Sequence, residues 1–128
     1  MAQVLWHHQA AEKDIAAAQE YLTLKLGRHQ AEAAAHKFRK HQDRIEPFKA
    51  KDLMRSSGLP LLAATDEEVA AKLAKIAQGK KLDPVLLVRD GETLHVADGY
   101  HRICAAYHTG DDTEVACVLV HTDKGVTV

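Results

Sequence analysis

The chain is poor in the residues that most often narrow a function. Of 128 residues, two are cysteine and three are proline, and aromatics make up 5%. Cys104 and Cys117 stand thirteen apart in apolar surroundings and form no CxxC pair, so a disulfide framework or zinc ribbon is not expected. Histidine is plentiful but scattered. His101 and His108 lie seven apart, about 10 Å along a helix and too far to share a metal. His7-His8 and the pair His36 and His41 have no zinc-like partners nearby.

Neither sign of charge dominates. Lysine and arginine number 17 against 18 acids, a formal net charge of −1. Any nucleic-acid contact would therefore need a local patch rather than a global basic excess. No apolar run approaches the roughly 20 residues that span a bilayer, so no membrane partner is expected. Met1-Ala2-Gln3 leads into polar sequence instead of an apolar signal core. The expectation is a cytoplasmic protein with reduced thiols.

What remains is an ordinary globular composition, 46% hydrophobic and 27% charged, long enough for a core. Residues 1–46 are alanine-, glutamine- and histidine-rich. Ile15, Ala18, Tyr21, Leu22 and Leu26 recur at helical spacing and Gly27 is placed to end the helix. A second helix is predicted from Gln30 to Ile45, with Ala31, Ala34, Ala35 and Phe38 along one side. Its other side carries His36, Lys37, Arg39, Lys40, His41 and Arg44. Together they read as a helical hairpin turning at Gly27-Arg28-His29. The basic side, residues 36–44, could track a DNA backbone or be a solvated face. The alanine-rich first helix offers enough small apolar surface to suggest a homodimer through the N-terminal helices.

Pro47 stops the second helix, and Phe48 to Leu53 reads as extended. Thr65 and Glu68 form a capping box that opens a helix with Val69, Leu73 and Ile76 inward, ending at Gly79. Val85-Leu86-Leu87-Val88 reads as a strand covered on both faces, Asp90-Gly91 as a hairpin turn, and residues 94–97 as its return strand. A helix over 100–108 and a buried strand over 115–120 follow, with a short extension at Val126–Val128. The fold class expected is α+β: a small mixed β-sheet with packed helices over residues 47–128, preceded by the hairpin extension, 1–46.

Chemistry concentrates in Asp98-Gly99-Tyr100-His101-Arg102, between the strand at 94–97 and the following helix. Free N–H groups and partial positive charge at a helix start favour anions. Gly99 lets a backbone approach closely, and a guanidinium at Arg102 suits phosphate oxygens. His101 can donate to phosphate or serve as acid or base. Asp98 could hold Mg²⁺ or a substrate hydroxyl, or cap the helix. Tyr100 reads as a wall of the site, Cys104 as a packing thiol, and Lys80 and Lys81 as solvated side chains of which one could reach a phosphate.

The segments Gly79-to-Val88 (GKKLDPVLLV) and His95-to-Ala106 (HVADGYHRICAA), with Gly110 leading into the last strand, resemble the ParB/sulfiredoxin superfamily over about residues 47–121. The resemblance implies a nucleotide site for ATP, ADP or CTP, with Gly99, Tyr100, His101, Arg102 and Lys81 as binding residues. It implies Asp98 and His101 as catalytic candidates and Asp98 as a Mg²⁺ ligand. Tyr100 stands where sulfiredoxins carry their catalytic cysteine, which excludes that route to sulfinic-acid reduction. Partitioning ParB proteins continue into DNA-binding and dimerisation regions. This chain ends at Val128, so clamp formation of that kind is not expected. The motif is most similar to the Asp-Gly-His-His-Arg of ParB-like free-serine kinases, which also use an upstream glutamate as base. Asp52 and Glu46 are the nearest acids for that role. The functional expectation is a nucleotide-phosphate-binding protein, a phosphotransferase or nucleotide hydrolase. The alternative is a non-catalytic ParB-like module for DNA or a protein partner. Nuclease chemistry, a label common among ParB-like relatives, finds no cluster of metal-binding carboxylates in this sequence.

Overall fold

A computed structural model describes residues 3–122; the expected extension at Val126–Val128 lies outside the described residues. The elements run β1 Leu5–Trp6, α1 Glu12–Leu26, α2 Arg28–Lys40, β2 Glu46–Lys49, α3 Ala50–Ser57 and α4 Glu67–Ala77. Then come β3 Lys81–Leu82, β4 Val85–Asp90, β5 Thr93–Asp98, α5 Tyr100–Thr109 and β6 Glu114–His121. The fold is α+β, as expected. A mixed four-stranded sheet has the order β2-β6-β4-β5, and β1 and β3 form a separate two-stranded parallel pair. Within the larger sheet β4 and β6 are parallel, while β2–β6 and β4–β5 are antiparallel.

Alternation along β4 explains its uniform apolar sequence. Leu86 and Val88 face one side, with Ala97, Val118 and Val120, and are covered by the α1–α2 hairpin through Ile15, Ala18, Leu22, Ala34 and Phe38. Val85 and Leu87 face the other, with Val96, Val115 and Cys117, and are covered by α3 and α5 through Leu53, Ile103 and Ala106. Helix α4 packs outside α5, joining Val69 and Ile76 to Cys104 and Ala105. Both faces are dry, as a central strand of this composition requires. Of the first helix's alanines, Ala18 is buried against the second helix and the sheet, while Ala16 and Ala17 are exposed; Ala31, Ala34 and Ala35 of α2 are buried in the same core. The hairpin at 1–46 thus shares a core with 47–122.

Local signals need four corrections. The stretch 48–53 is extended only to Lys49; α3 then begins at Ala50, because Ala50, Leu53, Met54 and Ser57 place a helical stripe on β5 and α5. Thr65 is not the cap of α4. Asp66, one residue on, accepts from the backbone N–H of Glu68 and Val69, both at 3.1 Å; aspartate caps as well as threonine and sits in the better register. Helix α2 starts at Arg28 and stops at Lys40 rather than running from Gln30 to Ile45, with Gly27 alone (φ 89°) as the joint to α1. The β4–β5 turn uses Gly91-Glu92, not Asp90-Gly91. Asp90 still pairs with Thr93, and Gly91 takes the positive φ of 63° that a two-residue hairpin wants at its first central position.

Among the described residues no helix is long and apolar enough to cross a membrane.

Candidate functional site

Strand β5 carries Asp98 to the sheet's end, beside the start of β4, and Gly99 turns the chain directly into α5. Gly99 has φ 105°, and a Cβ there would lie 2.9 Å from Val85 Cγ2 and 3.2 Å from Arg102 Nη1. The turn therefore requires glycine for both conformation and space. No side chain caps α5. Gly99 O accepts from the N–H groups of Arg102 and Ile103 at 3.0 and 3.2 Å, which leaves the N–H groups of Tyr100 and His101 as the helix's uncapped donors.

Arg102 does not reach outward. Its side chain is 10% exposed, and Nη2 donates to Oδ2 of Asp14, itself 9% exposed, at 2.9 Å. Nη1 donates to the Pro84 carbonyl at 3.3 Å and lies 3.6 Å from Asp98 Oδ2. The expected phosphate ligand is thus the centre of a buried network joining α1, the residue before β4, the end of β5 and α5. Asp98 is held well above the carboxylate range, at about 6. Burial is the main cause, followed by the Asp14 carboxylate; Arg102 pulls the other way, and a hydrogen bond to Asp14 favours the protonated form. The two acids share one guanidinium.

His101 faces outward from the first turn of α5, with Nδ1 3.0 Å from Oε2 of Glu68 in the first turn of α4. Two helix starts converge there. Lys72, one turn along α4 from Glu68, feels Asp98, Arg102 and Glu68; burial, then Lys75 and Arg102, lower its pKa. Tyr100 lies in the apolar seam with Trp6, Met54 and Leu73. Its buried hydroxyl oxygen has no hydrogen-bond partner of oxygen or nitrogen, and burial, with Cys104 beside it, pushes it up to about 12. Its ring packs against that seam. Cys104 is buried and Cys117 is too, the latter pushed up to about 12 chiefly by burial.

The remaining sequence candidates fall elsewhere. Lys81 is exposed in β3, paired with Leu5 of β1, and none of its described contacts is to Asp98–Arg102. Glu46 pairs with Cys117 at the far edge of the sheet, and Asp52 lines a small hollow with Phe48, Ser56 and Leu94. The acid beside the motif histidine is Glu68, which the sequence marked only as a capping residue. On the basic face of α2, Lys37 Nζ donates to the His121 carbonyl at 2.6 Å and Arg39 pairs with Glu12 at 2.8 Å, so two of its cations turn toward the chain itself. Mg²⁺ at Asp98 fits poorly: the carboxylate is shared with Arg102 and Asp14, and no group of three metal-binding side chains occurs among the described residues.

Asp14 and Lys72 were also missed. Asp14 had a readable signal: it sits at the head of the stripe 14, 15, 18, 22 that α1 buries. An acid on an apolar stripe needs a cationic partner. Compared with family models, curated proteins and solved structures, the chain matches none.

Proposed function

We propose that this protein binds the phosphates of a nucleotide (ATP, ADP or CTP) at the start of α5 and acts there as a phosphotransferase or nucleotide hydrolase. One observation carries the reading: His101, in the uncapped first turn of α5, has its Nδ1 3.0 Å from Oε2 of Glu68 in the first turn of α4. Two positive helix ends meet at an accessible imidazole. The backbone N–H groups of Tyr100 and His101 and the ammonium of Lys72 supply the anion contacts, while Arg102 stands behind the turn.

In the neutral tautomer that carries its proton on Nδ1, the nitrogen facing Glu68, the imidazole's Nε2 is an acceptor. It can take the proton of a hydroxyl whose oxygen forms the new bond to phosphorus, as the bond to the leaving phosphate oxygen breaks. A substrate alcohol in that place gives phosphoryl transfer; water gives hydrolysis. Asp98, largely protonated below pH 6, is too tightly shared to serve as the first base.

Calorimetric titration of ATP, ADP and CTP with Mg²⁺ tests this. Wild type should bind at least one of them. Affinity should drop about ten-fold or more in His101→Ala and in Lys72→Gln, the loss of one charge-assisted contact, with melting temperatures unchanged. No binding of any of the three removes the reading.

A further inference from the structure

Asp14 and Arg102 are the only buried charged residues among the described ones, and they come from sequence positions 88 apart. A buried ion pair seldom survives for stability alone, because desolvation offsets much of its attraction. Its position explains what it does. The guanidinium lies directly under Gly99, since a Cβ there would be 3.2 Å from Nη1. It is bonded to Pro84 O on one side and Asp14 on the other.

We infer that Asp14 is a positioning residue for the Gly99 turn: it fixes the Arg102 guanidinium beneath the turn, and so makes the N-terminal hairpin a working part of the site. The functional consequence rests on the reading of the α5 start as a phosphate site. The orientation of the uncapped N–H groups at Tyr100 and His101 depends on the Gly99 backbone, and that backbone rests on Arg102. An arrangement in which phosphate displaces Asp14 from Arg102 is disfavoured by the seating of α1. Ile15, Ala18 and Leu22 are fully buried against α2 and the sheet, so Asp14 cannot withdraw without opening that core.

The test has two arms. In the first, amide NMR spectra of nucleotide-free wild type and Asp14→Asn are compared. The Gly99, Tyr100 and His101 amide signals should move, and the Arg102 side-chain N–H should exchange faster with solvent. Unmoved signals at 99–101 in a folded variant overturn the inference. In the second, whichever of ATP, ADP and CTP binds wild type is titrated into the variant. Affinity should fall about ten-fold, a size typical of losing a group that orients ligand contacts. An unchanged or higher affinity overturns the inference, a gain showing that Asp14 competes for Arg102. Ile15→Val, which loosens the seat of α1 without touching the guanidinium, should bind as wild type does; a matching loss there means a merely structural role. If Asp14→Asn does not fold, Asp14→Glu is read in the same way. If wild type binds none of the nucleotides, the phosphate reading falls and the amide arm alone decides about Asp14.

Discussion

Helix α5 begins at Gly99 with φ 105° and ends at Gly110 with φ 174°, and the two ends are built on different physics. At the start the backbone is left-handed, a Cβ would strike Val85, and beneath the turn lies the buried pair of Arg102 and Asp14, with the partly buried Asp98 beside it. At the end the backbone is extended, and the charges are on the surface, where Lys51 and Lys49 meet Asp112 at 2.8 and 3.9 Å. The end also borders a hollow of about 520 Å³ lined by Gln3, Val4 and Thr109–Glu114, and neither this hollow nor the one beside Asp52 is lined by Asp98–Arg102. The hollow and the buried charge network are thus at opposite ends of one helix. A charge in a dry setting interacts several-fold more strongly than the same charge in water, so the start carries the larger consequences.

The largest effect should come from Arg102→Ala. It strands two carboxylates in a buried setting, and breaking such a pair costs about 3–5 kcal/mol, equivalent to a fall of about 10–20 °C in melting temperature. The loss should shrink in mildly acidic buffer, where Asp98 takes up a proton. A thermal melt at two pH values checks this. A shift of only a degree or two would mean that the network contributes no more than the surface pairs at the other end.

Gly99→Ala should come next, at about 2 kcal/mol, from a strained φ together with the clash against Val85. Gly110→Ala gives the matched control. Extended backbone suits any residue, and the near contact is the Thr113 hydroxyl at 3.2 Å, a movable side-chain atom. Its effect should stay within about 0.5 kcal/mol. Equal losses at both glycines, measured by chemical denaturation, would erase the distinction between the two ends.

The same contrast explains what could be read from sequence. The Gly99 turn, the strands that flank it, and α4 through Val69, Leu73 and Ile76 all follow from periodicity and turn chemistry, which are local. The α1 and α4 terminations at Gly27 and Gly79 do too. Helix α3 was hidden by its brevity and by Pro47 just before it, which biases the reading toward extended chain. The partner of Arg102 was hidden for a different reason. Spacing shows that Asp14 lies on a buried stripe but not which cation, 88 positions away, meets it. The Glu68–His101 pair was likewise invisible, since it depends on how α4 crosses α5. Motif residues were legible one by one; their division into inward Arg102 and outward His101 is a product of packing.

Asp98 provides a pH test of moderate size. Its pKa of about 6 lies above the ordinary carboxylate value of 3.8, so between those values the folded state holds a proton that the unfolded state has released. Stability from this group is therefore fully present below about pH 4 and is lost as pH rises through 6. The change is on the order of 3 kcal/mol. Asp98→Asn keeps a hydrogen-bond donor toward Asp14 and removes the titration. Urea midpoints across this range should show the variant as the more stable protein at pH 7, with the difference closing toward pH 4. A difference that grows toward acid would reverse the assignment of burial as the dominant cause.

The smallest effect is expected at the far end, from Lys51→Ala and Asp112→Asn. Here the hydrogen bond to Asp112 raises the Lys51 pKa and the same bond lowers that of Asp112, which by sign favours the folded state above the ordinary carboxylate range. Both groups are open to solvent, however, and water screens the attraction while the lysine chain gives up rotamer freedom to hold it. Neither substitution should move the melting temperature measurably, and about 0.5 M salt, which shortens the range of surface electrostatics, should leave wild type unchanged at this site. A double-mutant cycle makes the test quantitative. The coupling between Lys51 and Asp112 should fall near zero, while that between Asp14 and Arg102 should be large. A coupling at the surface pair equal to the buried one would show that burial is not what separates the two ends of α5, and the hollow at Thr109–Glu114 would then have as strong an electrostatic case as the Gly99 turn.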